Sequence, residues 1–205
     1  MPQGFLALIL HAHLPYVKHP EHEYSLEEKW FYEALTECYI PLLQVLEKLH
    51  QDGVDFRLTF SFSPTLLAMM EDPFLQERFS LYLQRLQHLA RLEEERTLGD
   101  PDFSPLARMY REQFDSVAEY YHRRCQKRLV SAFRRLAEEG CLEIIATAST
   151  HGYLPLLEVQ PESVYAQVAN AVYYYAELFG ESPRGIWLPE CAYNHGLDVI
   201  LGDLG

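Results

Sequence analysis

Apolar residues follow two alternating rhythms along the chain. Gly4 to Leu10 is an unbroken apolar run, as expected of a strand covered on both faces in a parallel sheet. It runs into His11-Ala12-His13-Leu14-Pro15-Tyr16, where the proline ends it. Residues 17–25 are polar and read as a loop. Ser25 followed by Glu28 has the form of a capping box, opening a helix from Leu26 to about Gln51 that Pro41 must kink or divide. Phe56 to Phe62 alternates aromatic and polar residues and reads as a second strand, ended by Ser63-Pro64 before another helix. Helical periodicity dominates 73–98 and 104–139, joined around Gly99 to Asp102. Gly140 suits a helix C-cap, and Cys141 to Ala148 reads as a third strand. Val164 to Phe179 is the next helix, Gly185 to Leu188 a fourth strand, and Leu197 to Leu204 a last helix.

Strands that alternate with helices predict an α/β fold with a parallel sheet. The excursion of about 65–139 between the second and third strands far exceeds an ordinary crossover of about a dozen residues, so a helical hairpin is expected there. Four strands do not close a barrel. The chain, 1–205, is therefore expected to be the N-terminal part of a larger catalytic barrel, with the closing strands elsewhere.

Charge narrows the partners. The formal net charge of −13 argues against nucleic acid and anionic membranes and suits a neutral substrate. The apolar run at the start is too short to span a bilayer and lacks the basic flank of a signal peptide. Cys38, Cys125, Cys141 and Cys191 are scattered, with no metal-binding or disulfide spacing. The expected compartment is the cytoplasm.

Three strand exits carry the candidate chemistry, and in barrels catalytic side chains collect at strand carboxyl ends. His11 and His13 share one side of an extended chain. They could hydrogen-bond a substrate, serve as core histidines, or ligate a metal with His151 as third ligand. No recognisable metal motif supports the last, so no metal is expected. His151 lies in Thr150-His151-Gly152-Tyr153-Leu154-Pro155, a second exit of similar design. Gly185-Ile186-Trp187-Leu188-Pro189-Glu190-Cys191-Ala192-Tyr193 puts a carboxylate between aromatic residues, which suits pyranose stacking and attack at an anomeric carbon. It also suits a plain helix start at Pro189. Trp30 and Trp187 could be core or sugar platforms. No second Asp or Glu occupies a comparable strand exit.

In this order, the motifs His11 to Tyr16, Gly140 to Glu143 running on to Thr150 through Pro155, and Trp187 to Tyr193 resemble the first three conserved regions of glycoside hydrolase family 57. The match spans nearly the whole chain. Within that family HAHLPY followed by WLPECAY looks most like the 1,4-α-glucan branching enzymes, whereas its amylases and glucanotransferases tend to carry a His-Gln-Pro first motif. The resemblance implies a (β/α)7 barrel, a retaining double displacement and no required metal or other cofactor. It implies Glu190 as nucleophile, with His11, His13 and His151 lining the reacting subsite. Tyr16, Trp30, Trp187 and Tyr193 would contact an α-1,4-glucan. The family's general acid/base is an aspartate of a fourth motif absent from this sequence, so the chain alone is expected to be inactive. The same-family alternatives are an α-amylase or 4-α-glucanotransferase. Alternatives of another class are a metal-dependent polysaccharide deacetylase and a non-catalytic glucan-binding fragment.

Overall fold

The computed structural model describes residue 4 and residues 6–205; Phe5, inside the first expected strand, lies outside them. Four strands form one parallel sheet in sequence order, a half-barrel flanked by helices: β1 (Ile9–Ala12), β2 (Leu58–Phe62), β3 (Leu142–Thr147) and β4 (Ile186–Trp187). The register aligns His11 with Ser61 and Ser61 with Ile145, and pairs Thr147 with Trp187.

The first strand sits later than its apolar run suggests. Pairing is dictated by the partner, and β2 offers Thr59 to Phe62 opposite Ile9 to Ala12. Leu6 is 92% and Leu8 48% exposed, so the run is not covered on both faces. The second strand lies within its expected range, and its Phe60, Ser61 and Phe62 are all buried. Ser61 is a buried polar residue that must find partners.

The chain divides into two compact units. The sheet unit comprises residues up to Tyr16, Val54–Met69 and Phe133–Gly205. Within it Phe133, on α6 (Leu129–Glu138, following α3 to α5 below), packs on Phe60 and Phe62 with ring centroids 5.6 and 4.8 Å away. Ala148, Leu154, Val164, Val168 and Leu197 form a second buried cluster. It joins the short α7 (Leu154–Leu157), α8 (Pro161–Phe179) and α9 (Leu197–Asp203). Gly180, at φ 82°, closes α8 in the left-handed conformation, as its sequence position suggests.

The helical unit comprises Val17–Gly53 and Met70–Ala132. The helix expected over 26–51 is divided as Pro41 requires: α1 (Leu26–Ala34), one π-helical turn at Leu35–Tyr39, then α2 (Ile40–Gln51). Ile40 N–H reaches back five residues to the Leu35 carbonyl, and that extra residue relieves the clash a proline ring makes with the preceding turn. After α3 (Pro64–Glu71), α4 (Pro73–Arg96) is capped by Asp72, whose carboxylate accepts from Phe74 and Leu75 N–H. It pairs with α5 (Ser104–Glu119) through Arg111–Glu94 and Gln87–Asp115 contacts at 2.6 and 2.7 Å. The helix expected over 104–139 is broken. It passes through a π turn at Tyr120–Arg124 and then Gln126 and Lys127, both at positive φ, before α6 begins.

The capping box is only half formed. Ser25 Oγ accepts from Glu28 N–H, but the Glu28 carboxylate does not return the bond. It is buried and accepts instead from Arg78 at 2.6 Å, Tyr32 OH at 2.9 Å and His19 N–H at 2.7 Å. Removing one member of a buried, fully hydrogen-bonded ion pair strands the other, at a cost of about 3–5 kcal/mol. Glu28→Ala is expected to lower the urea unfolding free energy by that amount. A loss under about 1 kcal/mol, the range of exposed pairs, would show that the pair is solvated.

Candidate active site

All three predicted strand exits lie at the carboxyl end of the sheet, within the sheet unit. His11 is on β1 and His13 just beyond it; the exit is held by Ser63 N–H to Ala12 O (3.0 Å) and Thr65 Oγ1 to Leu14 O (3.0 Å). His151 follows β3 in a turn fixed by its own N–H to Ala148 O and by Gln167, which bonds the Thr150 amide and hydroxyl. A Cβ on Gly152 next to it would come within 2.9 Å of the end of the Leu157 side chain, which would have to shift.

These loops bring the three imidazoles together. His11 Nε2 lies 2.8 Å from His151 Nε2. The rings of His13 and His151 stack at 4.0 Å and 12°. Trp187 packs its ring 6.3 Å from His11. Glu190 is exposed beside the cluster, close enough that its charge acts on both His11 and His151. Four of the candidate residues from three strands thus share one surface with Trp187.

The backbone here is strained. Among the described residues, five non-glycine residues have positive φ, and three of them are His151 (56°), Glu190 (54°) and Cys191 (56°). The left-handed region costs an L-residue roughly 1–2 kcal/mol. Such strain gathers where a side chain must be aimed for function. Pro189–Cys191 forms a short 3₁₀ turn, so neither a clean strand end nor an ordinary helix start describes Glu190. Cys191 N–H to Leu188 O and Ala192 N–H to Pro189 O hold the turn. His13 Nδ1 in the cluster, and Thr147 Oγ1 and Asn194 Oδ1 in the same unit, are buried with no hydrogen-bond partner among the described residues.

Tyr193 is exposed and donates its hydroxyl to Asp198 at 3.0 Å. Tyr16 is exposed just past the β1 exit. Trp30 lies on α1 in the helical unit, 49% exposed. No group of three His, Cys, Asp or Glu side chains among the described residues is arranged to hold a metal ion. The residue missed from sequence is Ser61, whose Oγ lies 3.1 Å from His11 Nδ1. Its polar place in the alternation of β2 was the available signal.

Burial shifts the three imidazoles toward the neutral form. His13 is pushed down to about 4, by burial first and then by His151 and His11. Burial also lowers His11 and His151, with Glu190 opposing. A histidine whose folded pKa lies below its ordinary 6.5 adds stability that is complete above 6.5 and is lost as pH falls toward the folded value. The unfolded chain takes up the proton first. Urea midpoints are therefore expected to fall between pH 6.5 and about 4, with a shallower fall in His13→Gln. Identical slopes for the two proteins would refute the assignment to His13.

A family model described as glycosyl hydrolase family 57 matches residues 7–205. Over 191 residues the chain is 38% identical to a 1,4-alpha-glucan branching enzyme of Thermococcus kodakarensis, covering 93% of this chain and 27% of that enzyme. The solved structure of an alpha-amylase from Thermotoga maritima superposes with a TM-score of 0.91 at 41% identity, covering 97% of this chain and 38% of the other. That of a branching enzyme of the same family from Pyrococcus horikoshii gives 0.87 at 39%, covering 93% and 35%. The chain thus spans between a quarter and two fifths of the length of these relatives.

Proposed function

Because the chain belongs to glycosyl hydrolase family 57, we propose that it forms the nucleophile-bearing N-terminal part, 1–205, of the catalytic barrel of an α-glucan branching enzyme. The observation that carries this reading is the strained turn that sets Glu190 beside three neutral imidazoles at the carboxyl end of a parallel sheet. Glu190 attacks the anomeric carbon of an α-1,4 linkage while a general acid protonates the departing 4-oxygen. A covalent glucosyl ester results. The 6-hydroxyl of another glucan chain then attacks the same carbon, its proton passes to the base, and Glu190 leaves as carboxylate, with net retention. His11, His13 and His151 line the reacting subsite as neutral hydrogen-bonding groups. Trp187, Tyr193, Tyr16 and Trp30 supply glucan contacts. The general acid/base is an aspartate outside residues 1–205.

No helix among the described residues is long and apolar enough to cross a membrane. The free state of all four cysteines suits a reducing compartment, and we place the protein in the cytoplasm, acting in glycogen or a related α-glucan metabolism.

The solved amylase favours a second reading, a hydrolase or 4-α-glucanotransferase of the same family. Water, a 4-hydroxyl and a 6-hydroxyl compete for one glucosyl ester, so the acceptor site decides. The test is linkage analysis of amylose incubated with a longer protein that carries this chain and the acid. New α-1,6 linkages support branching. Shortened or redistributed linear chains without them would reject it in favour of the second reading.

A further inference from the structure

The turn at the β3 exit satisfies only one of its own amides. His151 N–H closes it onto Ala148 O at 2.9 Å, which leaves the Ser149 and Thr150 N–H groups to find partners outside it. One residue takes both. The main-chain carbonyl of Gln167 accepts from Ser149 N–H at 2.9 Å, and its side-chain Oε1 accepts from Thr150 N–H at 2.9 Å. A main-chain N–H can only donate, so the amide oxygen must face it. The Gln167 NH2 group is thereby aimed at Thr150 Oγ1, 2.7 Å away.

Gln167 stands in the buried face of α8. Val164, Val168, Ala171 and Tyr175, at helical spacing around it, are buried. Val164 and Val168 belong to the same cluster as Ala148, the first residue of the turn. The helix is tied to β3 a second time by Tyr175 OH, which donates to Ile144 O at 2.8 Å. The two ties differ in what they hold. Tyr175 grips the interior of the strand. Gln167 grips the turn, whose last residue, His151, has φ 56°. An L-residue stays in that region only when its surroundings over-determine it. The closing bond of the turn and the three bonds from Gln167 do so here. The imidazole so placed stacks on His13 at 4.0 Å and reaches His11 Nε2 at 2.8 Å.

We infer that Gln167 is the positioning residue of His151: from α8 it holds the strained turn that sets this imidazole against His13 and His11. It works through the main chain of the turn. The functional consequence rests on the proposed glucan reading, in which the same bonds keep one wall of the reacting subsite in place.

The test is the histidine ring-proton spectrum of the full 205-residue chain, without sugar. Gln167→Met keeps helix propensity and the main-chain carbonyl but removes both side-chain bonds. The His13 and His151 signals, which shift each other through their stacked rings, are expected to move, while those of His50 and His88 in the helical unit stay. The protonation midpoint of His13, about 4 in the unaltered chain, is expected to rise toward 6.5 as His151 withdraws. Gln167→Glu still accepts from Thr150 N–H and can take the Thr150 hydroxyl proton as a second bond, so it is expected to restore both readings. Tyr175→Phe removes the other tie and is expected to leave both unchanged.

Unmoved His13 and His151 signals in a folded Gln167→Met chain overturn the inference. So does a Tyr175→Phe chain that moves them as far, since the effect would then be general docking of α8. If Gln167→Met does not fold, Thr150→Val removes the shorter side-chain bond at an exposed position, and unmoved signals there overturn the inference as well. Maltoheptaose, added last, separates this inference from the glucan reading. Variants that behave as expected, with no response of these signals to the sugar, uphold Gln167 and count against glucan binding at this cluster.

Discussion

Residues 1–205 on their own are expected to turn over amylose at a rate at least about 10²-fold to 10⁴-fold below that of a longer protein supplying the acid. The reason is a missing carboxylate rather than a missing fold. Double displacement needs two carboxyl groups about 5–5.5 Å apart across the glycosidic bond. Near Glu190, the closest carboxylate in sequence is Asp198, which is held by the Tyr193 hydroxyl at 3.0 Å. Glu143 sits early on β3, exposed and bonded by Thr59 Oγ1 at 3.2 Å, away from the strand ends where the histidines gather. None of the three imidazoles substitutes well. Burial depresses all of them, which leaves little protonated imidazole near neutral pH to donate to a leaving oxygen. The measurement is reducing-end release and α-1,6 linkage formation by the isolated chain. Turnover that Glu190→Gln abolishes would show that a carboxylate within 1–205 serves as the acid, with Asp198 the first to test.

Much of the fold was legible because its signals are local. Pro41 has to interrupt a helix, and the π turn at Leu35–Tyr39 is how it does so without parting α1 from α2. Gly180 closes its helix where a left-handed residue was needed. What escaped depends on partners distant in sequence. The Ser25–Glu28 pair has the spacing of a reciprocal cap, but Arg78, fifty residues away, captures the carboxylate. The limits of β1 follow from which part of β2 faces it, and no apolar count along β1 contains that. The site divides in the same way. His11, His13, His151, Trp187 and Glu190 were visible because each marks a strand exit. Ser61 was not, because a serine in an alternating strand reads as solvent-facing until the register sets it against His11.

Substitutions at Glu190 are expected to separate stability from activity. In a longer protein carrying this chain and the acid, Glu190→Gln and Glu190→Gly should each lower glucan turnover by roughly 10⁴-fold or more, since in the proposed mechanism Glu190 supplies the bond-forming oxygen and the remaining groups act only in concert with it. Their stabilities should differ. Glu190 is exposed, and its φ of 54° lies where an L-residue is strained by roughly 1–2 kcal/mol. Glutamine has the same backbone demand and nearly the same shape, so Glu190→Gln should alter the unfolding free energy by no more than about 0.5 kcal/mol. Glycine removes the strain but adds freedom to the unfolded chain, worth roughly 0.5–1 kcal/mol in the opposite sense. The net expectation is a gain of up to about 1.5 kcal/mol for Glu190→Gly. Urea titration of the 205-residue chain reads this without any need for activity. A clear loss of stability in the glycine variant would mean that the Glu190 side chain supports the turn, and that the strained backbone is not held there for the sake of the carboxylate. A Glu190→Gln protein that keeps full turnover would remove Glu190 from the chemistry altogether, whatever the geometry of its neighbours.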